Sequence, residues 1–515
     1  MKKTLSLAAL ALLLLGSLHS QSRFSFEDPQ MDTFFANKAN IPVVKGRLLN
    51  CTKADLDTFL IRYVLVVPTP ERQSMRYADL KKDGSFEIKL DYAIPYQQIW
   101  LMLPFSFSEV IANKDLYIEA DVRALRNTYN MHKEKGTDLP VGHDLVYQGT
   151  DAAINQMKNQ YTNFEPETRQ EFYKLHSVAW NHKLTTTERT KAWTQAFAIL
   201  EAMEQRFLEQ HPFEDGWILE NERKSEYYGY LFMINLTSRI PRGDALIPQG
   251  DTLKEAFLHK PYLVSNDGNS YYRYLSYLLS NPPKEDILDG LAKVNFSARK
   301  ADLVKTIGGP EGLYEREAYI EKMLPTMQSN WCKDLIQQEL ASKKQQTAQI
   351  NATIQSMPQS TSKTSLGKSI GSLPQGANLY VAEEENIDSL VQRIRALYPQ
   401  QAIIIDVWAT WCAPCIDDIK NSKPTKDKLK ELPVKVVYLC VSNSSTEDKW
   451  KKKVAELGVD GDHIWLSGKL STAIMERYGL AGYPSYVFID PKGVYHPKMI
   501  QSIQYLDIEG LKKRL

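Results

Sequence analysis

The sequence predicts a multidomain chain: a β-rich N-terminal domain, a helical middle domain and a C-terminal α/β domain. Three observations lead there. Residues 23–146 carry short apolar runs with period-two alternation between turn signals. Residues 147–350 change to helical periodicity, and residues 379–515 alternate strand-like and helix-like segments behind a polar linker at 351–378. The length of 515 residues also exceeds what one hydrophobic core holds. Apolar residues make up 43% and charged residues 24%, which excludes collagen, a long coiled coil and a wholly disordered chain. With 63 Lys plus Arg against 62 Asp plus Glu, no basic bias points to nucleic acid as a partner.

The first segment is a targeting signal. Lys2 and Lys3 precede an apolar run from Leu5 to Leu15, and the small residues Ser20 and Ser22 follow it. Residues 1–22 therefore read as a signal peptide. The run falls short of the roughly 20 residues that cross a bilayer, and the alternative is an uncleaved membrane anchor. No cysteine follows it to carry a lipid. Export to the periplasm or cell envelope is the expected localisation, and disulfides persist there.

In the β-rich domain, Ser85–Asp91 alternates behind the turn Lys82-Asp83-Gly84, and Ile61–Val67, Trp100–Leu103 and Leu116–Ala124 supply further strands. A small antiparallel sheet or sandwich is expected. In the helical domain, Thr190–Glu209, Gly229–Leu236, Tyr271–Leu279 and Glu315–Leu324 suit packed helices. Tyrosines at 227, 228, 230, 271, 272 and 274 either line a groove or pack between helices, and packing is the commoner fate of such rings. Inside the linker, Gly367-Lys-Ser-Ile-Gly371 matches a serine-hydrolase elbow. It lacks the strand before it and the helix after it that the elbow requires, so that reading is rejected.

The last domain has a βα rhythm. A helix over Ile387–Tyr398 leads to the apolar strand Ala402–Trp408, and a second helix starts at Cys412. Strand Val436–Val441, the amphipathic stretch Glu447–Leu457 and a short helix Ala473–Tyr478 follow. Ser485–Ile489, the turn Asp490-Pro-Lys-Gly493 and the residues from Val494 make a hairpin before a closing helix at Leu506–Leu515.

The chemistry lies in Trp411-Cys412-Ala413-Pro414-Cys415. A helix starting at Cys412 brings free N–H groups and the positive end of the helix dipole to its sulfur. That stabilises a thiolate and makes Cys412 the nucleophile. Cys415, three residues on, closes a disulfide with it, and Pro414 sits where the missing N–H costs no helix bond. The implied reaction is two-electron thiol–disulfide exchange. A lone C-x-x-C offers two ligands where structural zinc generally takes four, and none of the nine histidines is spaced near it. No metal and no cofactor is expected beyond the redox-active Cys412–Cys415 disulfide.

Residues 401–415, together with Gly482-Tyr-Pro484 and the hairpin after it, closely resemble the thioredoxin superfamily. The segment from Trp450 to His463 resembles its TlpA/ResA-like branch, and the layout resembles the multidomain type found in Bacteroidetes. The resemblance implies a thioredoxin-like fold and a cis Pro484 against the cysteine pair, with the backbone of Tyr483 exposed to an extended substrate and its ring restricting which partners dock. It implies that Asp406 is a buried acid relaying a proton to or from Cys415, the alternative being a structural, hydrogen-bonded Asp. Asp418 matches an acidic position near the active site, or else lies on a solvated helix face. Trp411 shields one side of the pair and, with Ala413 and Pro414, forms the docking surface, while Trp408 packs beside it or in the core. Relatives carry a proline soon after the motif; here the next is Pro424, so the first helix bends later or runs longer.

Cys440 reads as a small buried hydrophobe. Cys51 and Cys332 either bridge two domains or stay separate. The leading functional reading is an exported thiol–disulfide oxidoreductase that reduces protein disulfides. Its implied partners are oxidised protein substrates and an exported or membrane-bound electron donor. Two rivals remain: residues 23–350 capture a cargo for a dedicated redox domain, or the protein is architectural and its cysteine pair inert. Oligomeric state has no signature in the sequence.

Overall fold

The computed structural model describes residues 25–70, 73–181, 183–237, 251–262, 264–280, 286–357, 363–364, 366–383 and 386–515. The expected signal peptide at 1–22 lies outside them. The chain divides into two compact units at Ala341/Ser342.

In the first unit, alternating burial builds two four-stranded sheets. One runs β4 (Ser85–Ile88), β1 (Val43–Leu49), β7 (Asp115–Asp121), β8 (Leu145–Gln148); the other runs β3 (Gln73–Ala78), β2 (Ile61–Val66), β5 (Gln97–Leu103), β6 (Ser106–Ala112). Their inner faces share a core that includes Val44, Leu48, Tyr63, Leu65, Phe86, Leu101 and Ile118, which is a sandwich. The expected antiparallel pattern holds except between β1 and β7, which pair in parallel. Leu116–Ala124 is also divided: β7 ends at Asp121, whose carboxylate accepts from the N–H groups of Arg123 and Ala124 and starts a helix.

The helices pack behind the second sheet. Val66, Ile94, Tyr96 and Ile111 join a core with Trp193, Phe207, Phe232, Tyr272 and Trp331. Buried Asn155 accepts from the Ile111 N–H at 2.8 Å and donates to its carbonyl at 2.9 Å, closing part of the β6 edge. The β-rich and helical regions thus belong to one unit, and the expected boundary at 146/147 marks a change of structure inside it. Tyr230, Tyr271 and Tyr272 are fully buried, and the Tyr271 hydroxyl donates to the Ala256 carbonyl at 2.6 Å. These rings are packing, not a groove. Cys51 and Cys332 carry free thiols, so of the two alternatives the bridge is not formed and the cysteines stay separate.

The second unit is built on an eight-stranded sheet in the order β16 (Tyr495–His496), β15 (Ser485–Ile489), β12 (Ala402–Trp408), β13 (Val434–Cys440), β14 (Gly461–Trp465), β11 (Ala377–Val381), β10 (Gly367–Ser372), β9 (Lys363–Thr364). Strand β12 is parallel to β13 and antiparallel to β15. On one face Ile403, Ile405 and Val407 pack with Leu390, Ile394, Trp450, Val454 and Ile474 from three helices. On the other, Ala402, Ile404 and Phe488 pack with Leu429, Ile503 and Leu511. This is an α/β domain with both sheet faces covered.

The linker expected at 351–378 is a correction. A long helix, Asn330–Ser356, runs into it, and β9, β10 and the start of β11 occupy much of the rest. Strand β10, Gly-Lys-Ser-Ile-Gly-Ser, has no apolar alternation, because backbone pairing to β11 holds it. Gly367 has φ +116° and a Cβ there would lie 2.2 Å from the Val381 carbonyl oxygen, an approach only glycine permits.

Candidate active site

All seven residues of β12 are buried, and the strand ends four residues before Cys412. The turn is closed by the Cys412 N–H donating to the Ala409 carbonyl at 3.0 Å. Cys412 is the N-cap of helix Ala413–Asn421, its sulfur accepting from the Cys415 N–H at 3.2 Å. Pro414 occupies the first turn, where helix N–H groups have no internal partner. Cys412 and Cys415 are joined as a disulfide and both are buried. Ala413 and Pro414 are exposed beside them.

Trp411 is 52% exposed. Its indole N–H donates to the Asn443 carbonyl at 2.6 Å, and its ring meets Tyr483 edge-on at 5.8 Å between centroids. Tyr483 also packs against the core that contains both cysteines, and the Tyr483–Pro484 bond is cis. Trp408 is fully buried in that core.

Asp406 is buried, and among the described residues neither carboxylate oxygen has a hydrogen-bond partner. Burial pushes its pKa up to about 8, the Asp418 charge adds to the rise, and the Lys426 ammonium opposes it. Across the sheet it sits opposite Tyr438 on β13 and Tyr486 on β15, so the three side chains share one face. Lys426 comes from a second helix, Lys423–Leu429. It is buried and donates to the Tyr438 hydroxyl and the Ile419 carbonyl, both at 3.2 Å.

Asp418 is not on a solvated face. It is buried and accepts from the Tyr486 hydroxyl at 2.5 Å, from the Ile503 and Gln504 N–H groups at 3.0 Å each, and from the Ser502 hydroxyl. The cysteine helix ends at Asn421, and Pro424 falls in the first turn of the next helix. That break turns Lys426 inward.

Of the residues singled out from the sequence, Cys412 and Cys415 are bonded to each other, Trp411 meets Tyr483, and Asp406 is within electrostatic reach of Asp418; Lys426, Tyr438, Tyr486 and Asn443 were not singled out. Lysine and asparagine in a helix and a loop carry no signal of burial or contact. The Tyr438 and Tyr486 positions opposite Asp406 follow only once the strand register is known. Cys440 is buried, and burial pushes its thiol pKa up, which leaves it unreactive. Among the described residues no group of three or more His, Cys, Asp or Glu is placed to hold a metal ion, and no helix is long and apolar enough to cross a membrane.

Residues 388–502 match the Redoxin family, and the C-terminal domain is thioredoxin-like. No curated protein is similar at the significance required. Solved structures similar to the chain include the thioredoxin domain of a thiol–disulfide oxidoreductase from Bacteroides vulgatus, at 18% identity, covering 23% of this chain and 81% of that one with a TM-score of 0.21. A thioredoxin-family thiol:disulfide interchange protein from Chlorobium tepidum is 20% identical, covering 21% of this chain and 77% of its own, with a TM-score of 0.19. A secreted disulfide oxidoreductase from Mycobacterium tuberculosis is 15% identical, covering 23% and 83%, with a TM-score of 0.18.

Two outcomes follow from the acids. Asp418→Ala leaves two backbone N–H groups and a buried tyrosine hydroxyl without their acceptor, and it should destabilise the domain by about 2–4 kcal/mol in denaturant unfolding. For Asp406, the folded pKa near 8 lies above the ordinary 3.8, so the folded state binds the proton more tightly. That contribution to stability is complete below the ordinary value and is lost as pH rises through about 8. Asp406→Asn removes the titration. The oxidised variant's melting temperature should therefore gain on wild type steadily across that window, and a constant difference would contradict the assignment.

Proposed function

We propose that the chain is an exported thiol–disulfide oxidoreductase of the TlpA/ResA-like type, which reduces protein disulfides through a Cys412–Cys415 cycle. The observation that carries the reading is the cysteine pair itself, set at a helix N-terminus at the end of a buried strand and joined as a disulfide. The Redoxin match over the same residues supports it. Export rests on the basic and apolar N-terminal segment.

In the reduced chain the Cys412 thiolate, stabilised by the helix N-terminus, attacks one sulfur of a substrate disulfide. The other substrate sulfur leaves as a thiolate and takes a proton from water. Cys415 then loses its proton to the ionised carboxylate of Asp406, attacks the Cys412 sulfur, and expels the second substrate thiolate. The substrate has gained two electrons and the chain holds the Cys412–Cys415 disulfide. An exported or membrane-bound dithiol donor returns the two electrons. In that half-cycle the departing Cys415 thiolate takes the proton back from Asp406, which in the disulfide-bonded chain burial and the Asp418 charge keep protonated below about pH 8. Trp411, Tyr483, Ala413 and Pro414 form the surface on which the substrate chain lies, and Pro484 borders the pair.

The test uses a reduced Cys415→Ala chain and insulin as the disulfide substrate. Without the resolving thiol, the mixed disulfide with Cys412 should accumulate, appear in the mass spectrum as one added insulin chain, and vanish with dithiothreitol. No adduct from a chain whose Cys412 alkylates normally would overturn the exchange reading and favour an architectural role.

A further inference from the structure

Three loops lie at the same end of the sheet as the disulfide: residues 409–412 after β12, residues 441–446 after β13, and residues 481–484 before β15. Family motifs lie in the first and third. The middle loop holds no motif, yet it is bound to both of the others.

Toward the cysteine loop and the last residue of the strand before it, the middle loop makes three ties. The Val441 N–H donates to the Trp408 carbonyl at 2.9 Å, the Trp411 indole donates to the Asn443 carbonyl at 2.6 Å, and the Thr410 and Ser445 hydroxyls are hydrogen-bonded. Toward the Tyr483 loop it makes one: the Asn443 side-chain amide donates to the Tyr483 hydroxyl at 3.4 Å. With the edge-on contact of Trp411 and Tyr483, this closes a ring of three residues from three loops. The middle loop is itself anchored from behind. The Ser442 N–H donates at 3.0 Å to the hydroxyl of Ser471, which is fully buried. Between Asn443 and Ser445 the chain turns through Ser444 at φ +54°, in the left-handed region few residues adopt.

We propose that Asn443 is a positioning residue for substrate docking, holding the Trp411 and Tyr483 rings in one rigid rim over Cys412. The inference rests on the thiol–disulfide exchange reading above and deepens it. A half-exposed indole and a tyrosine ring otherwise sample several rotamers, and a docking chain has to freeze them at its own cost. Asn443 uses its backbone for one ring and its side chain for the other, so the rim is ordered before the substrate arrives. The polar tips of both rings are then engaged within the protein, and what the rim offers outward is their apolar faces. A polypeptide with apolar residues beside its cystine fits that surface.

The test is steady-state reduction of insulin by the full chain, with dithiothreitol as electron donor, in wild type, Asn443→Ala, Tyr483→Phe and the double variant. Asn443→Ala removes the amide and keeps the backbone carbonyl, so Trp411 stays tied and only the link to Tyr483 is cut. Asn443→Ala should raise KM for insulin about three- to tenfold, the worth of one hydrogen bond, with kcat held. Tyr483→Phe removes the acceptor of the same bond, so the double variant should be no worse than the more severe single one. Unchanged KM in Asn443→Ala, or effects that multiply in the double variant, overturns the positioning role alone. A wild-type chain that leaves insulin intact overturns the exchange reading and this inference with it.

Discussion

The second unit depends on one strand that is wholly buried and yet carries a carboxylic acid. Strand β12 pairs with β13 on one side and β15 on the other, and all its side chains are out of solvent. A strand so placed is a rigid rod, and its end fixes where the cysteine turn begins and where the helix dipole points. The position of Cys412 at the N-cap follows from that geometry and the turn bond to Ala409. Burying Asp406 in such a strand, where no described residue hydrogen-bonds its carboxyl oxygens, is costly unless the group is neutral, and its pKa near 8 expresses that cost.

The neighbours of Asp406 divide into opposing charges from successive helices. Asp418 on the cysteine helix raises its proton affinity, and Lys426 on the next helix lowers it. Each is held by its own bonds: Asp418 by the segment Ser502–Gln504 and Tyr486, Lys426 by Tyr438 and the Ile419 carbonyl. Burial also depresses the proton affinity of Lys426. The C-terminal segment therefore does more than close the sheet, because it fixes an acid whose charge acts on the strand that leads to the cysteines.

Much of this was legible in the sequence where one local pattern decides the outcome. The apolar run Ala402–Trp408, the C-x-x-C pair with its intervening Pro414, and the hairpin turn Asp490–Gly493 each specify their element within a few residues. The three-part layout followed from changes of period. What stayed hidden depends on contacts distant in sequence or on backbone alone. The parallel pairing of β1 with β7 joins residues far apart in the chain. Strand β10 has no hydrophobic period and resembles a linker, because Gly367 serves a close backbone approach rather than the core. The burial of Asp418 requires residues 502–504 to fold back over it, and the inward turn of Lys426 requires the helix break at Ser422. Asn443 shows no pattern at all, since its role lies in which two loops its own loop touches.

The measurement that bears most directly on the exchange cycle is the equilibrium reduction potential of the Cys412–Cys415 couple in the full chain, read against a glutathione or dithiothreitol redox buffer. A couple that protonates its resolving thiol from a buried acid and reduces protein disulfides should equilibrate readily and lie near about −270 mV. A value near about −120 mV would make the protein an oxidant of its partners, and a disulfide that does not equilibrate with the buffer would contradict the cycle itself.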